Sequence, residues 1–266
     1  MSDVGRSFAY PFRHPRWVGR ALIGAALEVV PVVLLLPGIL SLARHRYLYL
    51  VPRAAILLLP VAAALGLGCR FIVFGYLGRA AREVLDGSST GLPAWDRVGD
   101  DLLDGLKLWL VALALWLPAV AVTAGFALLV MALTSPGLAW LPVILVGLPA
   151  ALLTLAYLPA GLLAVVSEGK LGAAFSIDRV TVTVGRAFGP YALAFLVALG
   201  AEIFAQLGLA LCWVGIFATR FIAHCVTVHA FATAYGQGTQ GAASASPEVQ
   251  PSAPTPEGIP PSTVST

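Results

Sequence analysis

Residues 191–235 form a block of 45 in which the only formally charged side chains are Glu202 and Arg220. No soluble fold has a use for so long an apolar run. One membrane-crossing helix takes about 17–25 residues, so this block predicts two helices, with the turn between Gly208 and Gly215. Comparable runs recur upstream, at about 21–43, 54–78, 108–133 and 138–166, the last two separated by Ser135-Pro136-Gly137. Six spans follow. Composition agrees: 59% of residues are hydrophobic and 11% charged, against about 25% charged in soluble domains. A soluble chain this apolar could not cover its own surface with polar groups. The expected fold is all-α, a polytopic transmembrane helical bundle over residues 1–236. Prolines within spans, such as Pro60, Pro118, Pro149 and Pro159, are tolerable where neighbouring helices satisfy the freed carbonyls.

Four arginines (Arg6, Arg13, Arg16, Arg20) precede the first apolar run. That run exceeds the 7–15 residues or so of a signal peptide's apolar region, so it is expected to be retained as the first span. Lys and Arg then set the orientation. The N-terminal segment, the 79–107 stretch and the 167–190 stretch together carry eleven; the opposite side carries Arg44, Arg46 and Arg53. Cytoplasmic loops hold the excess, which predicts a cell (inner) membrane protein with both termini cytoplasmic. The basic first external loop is the one discordant feature. Residues 237–266, rich in Pro, Ser, Thr and Ala and lacking Lys and Arg, are expected to form a disordered tail and spacer.

Several chemistries find no support. The net charge of +3 is small and dispersed, which argues against nucleic acid as a partner. Cys69, Cys212 and Cys225 form no CxxC pair and read as buried spectators. No H-E-x-x-H helix, G-x-S-x-G elbow or Walker loop occurs. Gly87-Ser88-Ser89-Thr90-Gly91 reads as a flexible link. Asp96, Asp100, Asp101 and Asp104 lack calcium-loop spacing and read as a solvated face with helix N-terminal charges. His224 and His229 are five residues apart, so they diverge by about 500° on a helix and do not make a metal pair. No catalytic residue, metal or cofactor is assigned.

Two kinds of polar feature remain. Glu28, Arg70, Glu202, Gln206, Arg220 and His224 lie inside spans, where ionisable groups are costly, face the bundle and are often functional. Mutual pairing that locks helices together is the ordinary explanation. Glu28 lies eight residues beyond Arg20 and Arg70 nine before Arg79, which puts both about 12–14 Å deep at about 1.5 Å per residue. That predicts a Glu28–Arg70 pair. Glu202, 11 residues from Tyr191, and His224, 11 from Tyr235, match in the same way, so Glu202 is expected to pair with Arg220 or His224. Gln206 and Arg220 lie about one turn farther in, within reach of the same network. The second feature is interfacial. Phe8, Tyr10, Phe12 and Trp17 alternate with arginines as membrane anchors do. Residues 170–188 predict one helix lying flat on the inner leaflet, anchored by Phe175, Ile177, Val180, Val184 and Phe188 with Arg179 among them; a strand over 180–184 is the competing pattern.

The pieces Phe8-Ala9-Tyr10-Pro11-Phe12 with Trp17, Phe74-Gly75-Tyr76-Leu77-Gly78-Arg79, Gly91-Leu92-Pro93-Ala94-Trp95-Asp96, Asp104-Gly105-Leu106-Lys107, Ala173-Ala174-Phe175-Ser176 and Ala234-Tyr235-Gly236 occur in an order that resembles a bacterial and archaeal multi-pass membrane family. That family is known only as a domain of unknown function, number four-zero-one-three. The resemblance spans roughly residues 5–236 and takes in Pro93 and Trp95, which are expected to lie in an interfacial segment. It implies a membrane protein without an assigned activity and carries over no catalytic residue. Two functional classes stay open: a non-enzymatic protein that organises or assists a membrane partner, a second copy of itself or a lipid process, and a small transporter or channel using the buried charges.

Overall fold

The computed structural model describes residues 3–43, 53–88, 90–133, 140–208 and 212–245. Within them the chain is helical, with no strand among the described residues. A short N-terminal helix α1 (Asp3–Ala9) passes through a 3-10 turn (Tyr10–Phe12) into α2 (Trp17–Ala43). The long helices α3 (Arg53–Leu85), α4 (Val98–Leu133) and α5 (Trp140–Glu168) follow. A 3-10 turn (Leu171–Phe175) and the short α6 (Ile177–Arg186) lead to α7 (Phe188–Gln206) and α8 (Cys212–Ala245). Six of these helices are long and apolar enough to cross a membrane, and the chain is a polytopic helical membrane protein.

Successive spans alternate in direction, so Arg20, Arg79, Arg97 and Arg179 gather at one end, called here the basic end. Helix α3 is the hub, packing on α2, α4 and α8, while α7 packs on α8 and α5 on α4. Buried residues of α4 are Asp101, Gly105, Leu108 and Val111, a stripe at helical spacing confined to its basic half. Those of α5 run from Ala160 to Val166, with Pro142 buried near its start. Leu128, Leu133, Leu145 and Leu153, in the distal halves of the same hairpin, are exposed, a surface that hydrocarbon satisfies and water would not. Helix α5 also contains a π-helical turn at Val143–Gly147, where the Leu148 N–H bonds to the Val143 carbonyl. Pro149 accounts for it: the ring has no N–H for the Leu145 carbonyl and crowds it.

The helices outrun the apolar segments in several places. Helix α3 continues seven residues past Gly78 to Leu85, and α4 begins at Val98, ahead of the apolar run and at the acids expected to mark a helix N-terminus. Charge ends an apolar run, but it does not end a hydrogen-bonded backbone; the break comes at Asp86-Gly87. Helix α8 likewise runs through Gln237 to Ala245, into the segment read as tail, and Gly238 lies against the Thr183 backbone. The rest of that tail, the loop with Arg44 and Arg46, and Ser135-Pro136-Gly137 lie outside the described residues.

The flat helix expected over 170–188 is broken at Ser176 into the 3-10 turn and α6, and the strand pattern is overturned. The break changes the register of side chains. Ala173, Val180 and Thr183 turn inward and are buried, whereas Phe175, Ile177 and Phe188 are at least half exposed. The five expected anchors therefore do not share a face. Arg179 pairs with Glu168 across the turn, which raises the Arg179 pKa.

Candidate functional site

At the basic end, the connection between α3 and α4 is clamped by side chains from two helices. Its carbonyls at Leu92, Pro93 and Ala94 would be costly to leave unsatisfied this close to the bilayer. Each accepts from a different residue: Arg20 Nη1 donates to Leu92, Tyr76 Oη to Pro93 at 2.9 Å, and Arg79 Nη2 to Ala94 at 2.8 Å. Trp95 returns the contact, its Nε1 donating to the Arg20 carbonyl at 2.9 Å while the indole stacks on Tyr76 at 3.9 Å between ring centroids. Gly91 enters the clamp with φ of 129° and passes the His14 backbone closely, a conformation that disfavours any side chain. Trp95 is thus part of the packed clamp rather than a freely exposed interfacial anchor. Trp17 is partly buried, with its ring edge-on to Phe12 at 4.8 Å.

Arg79 closes the clamp. It donates to Asp96 Oδ1 at 2.8 Å and to both oxygens of Asp101, at 3.1 and 2.8 Å. Asp96 lies outside the spans, and the hydrogen bond from Arg79 holds its carboxyl below the usual carboxylate range. Asp101 corrects the reading of this acidic run as a solvated face: its side chain is 3% exposed. Helix phase is the cause, since Asp100 and Asp104 share the outer face of α4 while Asp101 turns toward α3. Two glycines permit that approach. A Cβ on Gly75 would collide with the Asp101 backbone carbonyl, and one on Gly105 with that of Phe71. The Gly-Tyr-x-x-Arg and Asp-Gly-Leu-Lys pieces are therefore two sides of one helix crossing.

The second site lies within the spans. Glu28 on α2 is 1% exposed, with Arg70 Nη1 at 3.6 Å from Oε2 and His224 Nε2 at 3.5 Å from Oε1. His224 Nδ1 in turn lies 3.7 Å from Glu202 Oε1. The order Arg70–Glu28–His224–Glu202 joins α3, α2, α8 and α7. Matched depth indicated the Glu28–Arg70 and Glu202–His224 pairs; the link from Glu28 to His224 did not follow from it. Gly24 and Phe221 explain the link. The Phe221 ring occupies the space where a Gly24 side chain would be, drawing α2 and α8 together about one turn from Glu28 and His224. Gln206 and Arg220 are exposed; neither makes an ion pair or hydrogen bond among the described residues. His229 faces the other way, its Nδ1 3.1 Å from Ser7 Oγ and its ring 4.6 Å from Tyr10, and so docks α1 on α8. Cys225 is buried and Cys69 partly so, both as free thiols.

Six apolar spans, a clamped interfacial loop and a charged array within the bundle define a multi-pass helical membrane protein. The chain belongs to the family described as protein of unknown function (DUF4013), which matches residues 54–214. The match takes in the clamp loop, Arg70, Arg79, Asp101, Glu202 and Gln206, but not Glu28, Arg220 or His224. No curated protein and no solved structure matches the chain. Sequence reasoning missed Asp101 as a buried partner and Tyr76 as a donor. The signal was there in the i, i+3 spacing of Tyr76 and Arg79, which puts both on one face of α3.

Proposed function

We propose that this chain is a non-enzymatic membrane protein that organises or assists a second membrane protein, held in the cell membrane with the basic end, and so both termini, in the cytoplasm. One observation carries the reading. The polar array is anchored on buried Glu28 but opens outward: the side chains of Arg70 and Glu202 are 41% and 44% exposed, and Gln206 lies one turn from Glu202. Ionisable groups facing hydrocarbon cost about 2.5–3.5 kcal/mol each on insertion scales, a cost that a partner helix with polar groups would remove. Leu199 and Ile203 flank Glu202 and are exposed, which suits an apolar rim around that contact. The test is site-specific photocrosslinking from Leu199 and Ile203 in native membranes, with adducts identified by mass spectrometry. A reproducible protein adduct, to a second copy or another chain, supports the proposal. Adducts to lipid alone at both positions reject it.

A second reading, a small transporter or channel, is favoured by the acid–imidazole–acid order of Glu28, His224 and Glu202, since such chains relay protons in pumps and transporters. Proteoliposomes carrying a pH-sensitive dye would distinguish it: flux that is abolished by Glu28→Gln supports transport.

A further inference from the structure

At the basic end, α3, α4 and α5 enclose an open cavity of about 430 Å³. Its walls carry Arg79, Arg82, Arg97, Lys107, Asp100, Asp101 and Asp104. Most of that charge is already committed. Arg79 is paired with Asp96 and Asp101, and Lys107 with Asp104 at 2.8 Å. What remains is Arg82, Arg97 and Asp100, none of which makes an ion pair among the described residues. The Arg82 Nε donates to the Val166 carbonyl at 3.2 Å, which leaves the terminal nitrogens of its guanidinium uncommitted at the cavity wall.

Below this cavity lies an apolar groove of about 180 Å³ between α3, α5 and α8, lined by Phe74, Leu77, Leu162 and Phe231 among others. Gly78, Leu108 and Val166 line both spaces, so the polar cavity and the groove adjoin across these three residues. Leu108 packs directly onto Gly78 at this boundary, where a Cβ would meet Leu108 Cδ1 at 2.6 Å.

We propose that the cavity and groove together form a binding site for a membrane glycerophospholipid whose headgroup carries a primary ammonium, as in phosphatidylethanolamine. The phosphodiester suits the two uncommitted arginines, which bind phosphate through planar, forked donors. The ammonium suits Asp100. The glycerol spans the Gly78–Leu108–Val166 boundary, where the Leu108 side chain swings aside as one acyl chain enters the groove. A purely anionic headgroup would leave Asp100 opposed to it, and a choline headgroup could not donate hydrogen bonds to the carboxylate. The proposal is independent of the partner contact at Glu202, on another face of the bundle.

Native mass spectrometry of the full chain in detergent tests it, with dioleoyl phosphatidylethanolamine, phosphatidylglycerol and phosphatidylcholine titrated separately. Phosphatidylethanolamine is expected to bind roughly threefold or more tighter than either of the others, the scale of one partly exposed charge contact. Asp100→Asn should remove that preference, and Arg97→Gln should weaken binding of all three by a similar factor. Both side chains are exposed and unpaired, so both variants are expected to fold. Chain-free glycerophosphoethanolamine should compete poorly. Equal binding of the three lipids, a preference that survives Asp100→Asn, unchanged affinity in Arg97→Gln, or full competition by the chain-free headgroup each overturns the proposal.

Discussion

Arg79 of α3 holds Asp101 of α4 through two hydrogen bonds, at 3.1 and 2.8 Å, across a helix crossing where two glycines face backbone. Asp101 is buried and Arg79 partly so. Removing either leaves the other charge without its partner at the rim of the bilayer. Arg79→Gln or Asp101→Asn is expected to cost on the order of 3 kcal/mol, read as lost thermal stability in detergent. The double variant should recover part of that loss. Strict additivity of the two single changes would show that the residues are not coupled.

The crossing itself depends on the absence of side chains. Gly105→Ala places a methyl against the Phe71 carbonyl, and overpacking of this kind costs about 1–3 kcal/mol or more. Gly125→Ala, on the same helix with nothing within 4 Å, is the control. It is expected to be neutral or to stabilise by about 0.5–1 kcal/mol, because alanine loses less backbone freedom than glycine. Equal effects of the two substitutions on melting temperature would show that the close approach does not exist.

In the array, Glu28→Gln and Arg70→Gln should each destabilise, by about 1–3 kcal/mol, the range for stranding a buried polar group. Together they should cost less than the sum. Because Glu28 also faces His224, His224→Gln is expected to couple to Glu28→Gln but only weakly to Arg70→Gln. A cycle with no coupling between Glu28 and His224 would remove the link between α2 and α8.

Asp96 supplies the pH dependence of the clamp. Its folded pKa is depressed by the hydrogen bond from Arg79, so its contribution is present above the unfolded value, about 3.9, and is lost as pH falls through the lower folded value. The stability difference between wild type and Asp96→Asn should therefore be flat from neutral pH to about pH 5 and vanish in stronger acid. A difference that grows as pH falls would contradict the pairing.

Orientation has a direct readout. In a background without the native cysteines, Ser41→Cys and Ser135→Cys should react with an impermeant maleimide from outside sealed cells, and Ser88→Cys should not. Labelling at position 88 would invert the topology.

The amino-acid sequence by itself determined the environment, the number of spans and the depth of the buried charges. These are one-dimensional properties: an apolar run must be hidden from water, its length sets how many times it crosses, and rise per residue converts sequence offset into depth. The Glu28–Arg70 pair was legible for that reason. Only the tertiary structure decided what depends on rotation about a helix axis and on which helices are neighbours. Whether Asp101 faces α3 or water depends on the rotation of α4 about its axis, which the acids that mark the start of that helix do not set. The fate of residues 170–188 turned on a break at Ser176, which no spacing rule marks. The Glu28–His224 contact required α2 to lie against α8, a pairing set by Gly24 and Phe221 nearly two hundred residues apart. Packing of that kind is non-local, and periodicity along the chain contains no record of it.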